Sequence, residues 1–168
     1  MDDAHWAEQM TLRKPSIIVV QYGTNESEVG QVGEAYEKGL GAFLDRLKVA
    51  APKASILVAS PVDRAEKSAK GLFPTKEIIV KIVEAQRRVA LAHGVGFWNT
   101  FEAMGGRGTV QRWLFTKPNL YNWDYTHPTT WGAEVIGDLL VSALLTGYDG
   151  WQSKHAADLG APRLPPTP

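Results

Sequence analysis

At 168 residues, 44% of them apolar and 21% charged, the chain is long enough for one domain with a core of ordinary size. Eighteen Lys and Arg balance eighteen Asp and Glu, so there is no global positive field of the kind that draws in nucleic acid or an anionic membrane surface, and neither is an expected partner. The absence of cysteine excludes a disulfide framework, a thiol nucleophile and a Cys-ligated zinc, while leaving the compartment open.

The amino terminus, Met1-Asp2-Asp3-Ala4-His5-Trp6, is acidic and lacks the basic and apolar regions of a signal peptide, and no stretch approaches the apolar run of a membrane span. The first strong element is Ser16-Ile17-Ile18-Val19-Val20-Gln21, introduced by Lys14-Pro15 and stopped by Gly23. Its continuous rather than alternating apolarity predicts a strand buried on both faces, as in a parallel sheet. Residues 35–49 place Tyr36, Leu40, Phe43, Leu44 and Leu47 at spacings of three and four before Pro52, the pattern of an amphipathic helix. Ala54-Ser55-Ile56-Leu57-Val58-Ala59 reads as a second buried strand, with Ser60-Pro61-Val62-Asp63-Arg64 as the loop leaving its carboxyl end.

A third round opens at Pro74, expected at a helix start. Ile78, Ile79, Ile82, Val83, Ala85, Gln86, Val89 and Ala90 continue it to the stop at His93-Gly94. Val95-Gly96-Phe97-Trp98 is then the third strand. Gly105-Gly106 breaks the next stretch, in which Val110, Trp113 and Leu114 indicate a short helix. The last helix is predicted to start at a Thr129-Thr130 cap, to carry Trp131, Val135, Ile136, Leu139, Leu140, Ala143 and Leu144 as one apolar stripe, and to end before Gly147. Residues 1–150 are thus expected to form one α/β domain and residues 151–168 a tail, proline-rich and without periodicity from Ala156 onward.

Alternating strands and helices predict a parallel sheet with helices on both faces, in which ligands sit at the carboxyl ends of the strands. Three loops therefore matter most: residues 22–28, 60–64 and 99–108. In the first, Asn25 can aim its side-chain amide at a developing oxyanion, though a Gly-Asn turn with a helix cap explains Gly23-Thr24-Asn25 taken alone more simply. Farther on, Asp124 and His127 lie three apart, with Pro128 stiffening the chain before the final helix. A carboxylate so placed can fix one imidazole nitrogen and leave the other as a general base; a turn aspartate beside a helix-entry histidine is the competing reading. Gly105-Gly106-Arg107-Gly108 lacks the pattern of a phosphate-binding loop and reads as a flexible loop. Of the tryptophans, Trp123 beside Asp124 is kept as a possible substrate contact, while Trp98, Trp113 and Trp131 fit core or helix packing. The four histidines, 5, 93, 127 and 155, are scattered, so no metal site is expected, and nothing calls for a cofactor. His93, at a helix end, is accounted for by the helix dipole.

Taken together, a strand ending in Gln21-Tyr22-Gly23-Thr24-Asn25-Glu26 and a late Asp124-Tyr125-Thr126-His127-Pro128 before the last helix resemble the third and fifth sequence blocks of the SGNH/GDSL hydrolase family. The resemblance runs from about Pro15 to Leu145 and includes Ser60-Pro61, Phe97-Trp98-Asn99 and Ala103-Met104-Gly105-Gly106, which are similar to bacterial members that remove acetyl groups from peptidoglycan or other polysaccharides. It implies a flavodoxin-like three-layer fold and an ester hydrolase acting on a small acyl group, acetyl on a carbohydrate, outside the cytoplasm. His127 would be the base, Asp124 its orienting carboxylate and Asn25 an oxyanion-hole donor, with Gly23 shaping that loop. Glu26 stands where many members have Asp.

The family's nucleophile sits in a Gly-Asp-Ser turn after its first strand, and a glycine of the second block completes the oxyanion hole; neither block occurs here. The seven serines, 16, 27, 55, 60, 68, 142 and 153, match neither that turn nor the G-x-S-x-G elbow, Ser27 being the nearest candidate for a substitute. Because the family's first strand is central in its sheet, the resemblance implies a sheet incomplete on its N-terminal side, with an exposed edge open to an upstream segment or a partner chain. Truncation, a two-chain enzyme and a degenerate non-catalytic relative compete, and the joint survival of Asp124, His127 and Asn25 favours the first. A glycan-binding or interaction module, and acyl transfer in place of hydrolysis, are the alternative functions.

Overall fold

The structure, a computed structural model, describes residues 3–30 and 32–156. Seven helices and three strands follow in the order α1 (Asp3–Arg13), β1 (Ile17–Gln21), α2 (Glu26–Val29), α3 (Glu34–Ala50), β2 (Ser55–Ala59), α4 (Glu77–Ala92), β3 (Gly96–Trp98), α5 (Thr100–Ala103), α6 (Thr109–Leu114) and α7 (Thr130–His155) among the described residues. The strands form one parallel sheet in the order β1, β2, β3. Val20, Val58 and Phe97 stand in register on one face; Gln21, Ala59 and Trp98 stand on the other.

The first face carries the main core. Val20, Ile56 and Val58 pack against Leu40, Leu44 and Leu47 of α3 and Val89 and Ala90 of α4, and Trp6 and Met10 of α1 close over the margin. Both α3 and α4 follow the predicted three-and-four spacing, which puts their apolar stripes on the sheet. A second cluster, Val62, Ala65, Phe73, Met104, Val110, Leu114 and Tyr121, fills the space beneath the loops at the carboxyl ends of the strands.

The second face is covered unequally. Here α7 stands across a cavity from the sheet, with Ile136 and Leu140 opposite Val19, Gln21 and Ala59. Expected to be buried on both sides, β1 instead leaves Ile17 48% and Val19 46% exposed. Both side chains point to this second face, which α7 covers only across the cavity, and β1 is also an edge strand with no strand pairing on its free side among the described residues.

Three further differences have local causes. Residues 3–13, with no predicted element, form α1, whose Trp6 meets Phe43 at 5.5 Å between ring centroids. Helix α4 begins at Glu77 rather than Pro74, because a bridge between Ala65 and Thr75 and a Lys76 N–H bond to the Arg64 carbonyl (2.8 Å) hold the intervening chain extended. Helix α7 passes through the predicted stop at Gly147 and into the stretch assigned to the tail. An interior glycine costs a helix only about 1 kcal/mol, and Tyr148, Trp151 and His155 stack in succession along one side beyond it. The remainder of the expected tail, residues 157–168, lies outside the described residues.

Candidate active site

The loop after β1 turns at Gly23, whose φ of 117° is a conformation that favours glycine. A β-carbon there would lie 2.8 Å from Ile82 Cγ2 and 3.2 Å from Gln86 Nε2, so the loop rests directly on α4. Buried Gln86 donates to the Tyr22 carbonyl (2.9 Å) and the Tyr36 hydroxyl (2.9 Å), fixing the loop from below. The Gly23 N–H is taken by the Glu26 carboxylate at 2.9 Å, so Gly23 shapes the turn and is not itself a free donor. Asn25, enclosed by that bond, makes no side-chain cap to α2 and lines the cavity. Ser27 is 3% exposed and gives its proton to the Thr24 carbonyl, which removes it as a nucleophile.

Asp124 and His127 occupy a loop closed by a bridge between Tyr121 and Pro128 and by Asn122 N–H donating to the His127 carbonyl at 2.9 Å. Within it, Asp124 Oδ1 accepts the backbone N–H groups of Thr126 and His127, both at 2.9 Å, and Tyr125 takes a φ of 60° to let the chain wrap the carboxylate. The other oxygen, Oδ2, lies 2.9 Å from His127 Nδ1. Asp124 thus makes turn contacts through one oxygen and an imidazole contact through the other. Partial burial pushes the Asp124 carboxyl up, but its hydrogen bonds from His127 and Thr126 outweigh this and hold it below the usual carboxylate range. The two side chains remain open, His127 70% and Asp124 50% exposed. Thr129 caps α7 through the Gly132 N–H as predicted, and Gly132 lies so close to the Leu120 carbonyl that a β-carbon would be 2.0 Å from its oxygen.

The loop after β2 joins these two. Ala65 N–H donates to the Tyr125 carbonyl (3.0 Å), the Tyr121 hydroxyl donates to the Asp63 carbonyl, and the Arg64 guanidinium reaches both neighbouring loops. Burial raises the Tyr121 hydroxyl far above its ordinary pKa, with the Asp63 and Asp124 charges adding to the effect, so it stays a donor. Asp63 itself is fully buried, its oxygens accepting the Thr75 hydroxyl (2.7 Å) and the Val110 N–H (2.9 Å).

Asn25 and His127 thereby line one cavity of about 640 Å³, together with Val19, Ala59, Trp98 and α7. A carboxylate on Nδ1 leaves Nε2 free to exchange a proton, and a side-chain amide across the same space can donate to an anionic oxygen. None of the lining residues is serine. Trp123 lies off the cavity, edge-on to Phe73 (6.3 Å between centroids) and Phe115 (5.7 Å), and 57% exposed. The glycine-rich 105–108 stretch is wrapped by Arg112, which donates to the carbonyls of Gly105 (2.7 Å) and Arg107 (3.0 Å); it is a packed turn. No group of three or more His, Cys, Asp or Glu among the described residues is placed to hold a metal ion. The sequence does not mark Glu26, Asp63, Arg64, Gln86 and Tyr121 as site residues. Their partners lie mostly in other loops, and the one available signal was that 60–64 leaves the carboxyl end of a strand.

The model of the GDSL-like lipase/acylhydrolase family matches residues 2–135. A comparison with curated proteins gives no match. Among solved structures, a peptidoglycan O-acetylesterase is similar with a TM-score of 0.71 and 22% identity, over 78% of this chain and 37% of that one. A catalytic mutant of an acetylxylan esterase from Geobacillus stearothermophilus is similar with a TM-score of 0.57 and 16% identity, over 83% and 64%. The periplasmic domain of a lipopolysaccharide acetyltransferase from Salmonella ser. Paratyphi A gives a TM-score of 0.54 at 11% identity, over 83% and 60%. These are likenesses of fold, and in each the chain spans less than two thirds of its counterpart.

Proposed function

The chain belongs to the GDSL-like lipase/acylhydrolase family, and from that premise we propose that it carries the acid and base half of a serine-type ester hydrolase acting on acetylated carbohydrate. The observation that carries this reading is the His127 Nδ1 to Asp124 Oδ2 contact at 2.9 Å, with His127 and Asn25 lining the same cavity. The serine comes from a segment, upstream or on a partner chain, that pairs with the free side of β1. Its hydroxyl attacks the acyl carbonyl as His127 Nε2 takes the proton; Asp124 stabilises the imidazolium, and the Asn25 amide donates to the oxyanion. His127 then returns the proton to the leaving sugar oxygen, and water repeats the sequence on the acyl-enzyme. Trp123 offers an exposed ring to the sugar. The acetyl-carbohydrate assignment is supported by the acetylesterases among the similar folds.

The test is turnover of an aryl acetate and labelling by a fluorophosphonate, with the chain alone and with the serine-bearing segment present. Both require the segment, and His127→Ala in the completed protein lowers kcat by at least about a thousandfold. Hydrolysis indifferent to His127→Ala contradicts the assignment, and an inert completed protein that binds glycan points instead to a binding module.

A further inference from the structure

We propose that Arg64 is the positioning residue of this site, locking the loop that carries Asn25 to the loop that carries His127. The inference rests on the roles proposed for those two residues and adds one that touches neither. Arg64 is 9% exposed, and all three of its guanidinium nitrogens are engaged. Nε donates to Thr126 Oγ1 at 3.1 Å. Nη1 donates to the Thr24 carbonyl at 3.1 Å and to Ser27 Oγ at 2.7 Å. Nη2 pairs with the Glu28 carboxylate.

The placement of these partners is what gives Arg64 its role. Thr24 and Ser27 bracket Asn25, and Thr126 immediately precedes His127. A guanidinium is a rigid plane with donors at fixed angles, so bonds from its separate edges fix the two loops in orientation as well as in distance. A buried cation also requires a counter-charge and filled donors, which ties Glu28 and the loop acceptors to one arrangement. The backbone beside Arg64 is held as well: its carbonyl accepts Lys76 N–H (2.8 Å) from the segment entering α4, and the next residue, Ala65, donates to Tyr125 (3.0 Å) in the His127 loop. Arg64 is not among the residues that line the cavity, so it acts through its neighbours rather than on a substrate.

The experiment is backbone amide shift and hydrogen exchange by NMR on the full chain, in a double-mutant cycle of Thr126→Val and Arg64→Met. With Arg64 present, Thr126→Val moves the amides of Thr24, Asn25 and Ser27 and speeds their exchange about fivefold, the loss expected for one hydrogen bond. Arg64→Met loosens both loops together, and in that background Thr126→Val has no further effect on residues 24–27. Arg64→Lys, which keeps the charge without the fork, also fails to couple the loops; it replaces Arg64→Met as the background if the latter does not fold. The proposal is overturned if Thr126→Val leaves residues 24–27 unchanged, or if its effect there persists without Arg64. Since no turnover is read, this failure is separate from failure of the esterase assignment, which hydrolysis decides.

Discussion

The two faces of the sheet are built on different principles. On the face under α1, α3 and α4, shape comes from packed apolar side chains such as Leu44 and Val58, both with no exposed surface. Around Asn25 and His127, a smaller apolar cluster lies beneath the loops and hydrogen bonds set their shape: Gly23 N–H to Glu26, two backbone N–H groups and one imidazole to Asp124, Arg64 to two loops. The candidate site therefore keeps its geometry without being covered. A His and Asp pair that is at least half open to solvent can be held in place by its own turn and by the loops beside it.

Removing apolar bulk from each face is expected to separate the two most strongly. Leu44→Ala is expected to destabilise the fold by about 2–5 kcal/mol, whereas Val19→Ala on the open side of β1 is expected to stay within about 0.5 kcal/mol. Chemical denaturation measures both, and an equally large loss at Val19 means that the second face is covered in solution. Gly23→Ala comes next. It places a β-carbon against α4 in a backbone conformation that L-residues avoid, and a cost of about 2–3 kcal/mol follows from strain and overpacking. A cost near zero indicates that the loop does not rest on Ile82 and Gln86.

A smaller effect separates the regions by sign. Asp124 is held below the usual carboxylate range, so its contribution is present above its unfolded value, and is lost as pH falls through its folded value. Asp63 is shifted upward by burial, against the lowering effect of the Val110 and Thr75 hydrogen bonds. It therefore disfavours folding increasingly as pH rises from the unfolded value through its folded value. Denaturation midpoints across the acid range should flatten on the low-pH side in Asp124→Asn and lose the opposite slope in Asp63→Asn. Slopes of the same sign contradict the contrast.

What the sequence discloses follows the same division. The strands at 17–21 and 55–59 and the helices at 34–50 and 77–92 are legible because their burial is written in period and composition. Asp124, His127 and Asn25 are legible because short motifs carry them. Arg64 is not, because its partners at 24, 27, 28 and 126 lie 36 to 62 residues away and nothing local distinguishes a loop arginine that will be buried. Gln86 reads as one more member of an α4 stripe, although its amide is what carries the Asn25 loop. The open side of β1 is legible only through the family resemblance, which implies an exposed edge; apolar composition by itself reports what a strand can bury, and the described chain supplies only part of the cover.

With its carboxylate held against Nδ1, Asp124 is expected to preset His127 before any substrate or covering segment arrives. Long-range nitrogen–proton correlation NMR of the imidazole ring, at a pH where the ring is neutral, tests this most directly. The expected result is a His127 ring protonated at Nδ1 with the lone pair on Nε2, and a loss of that preference in Asp124→Asn. A ring protonated at Nε2, or a tautomer mixture indifferent to Asp124→Asn, contradicts it.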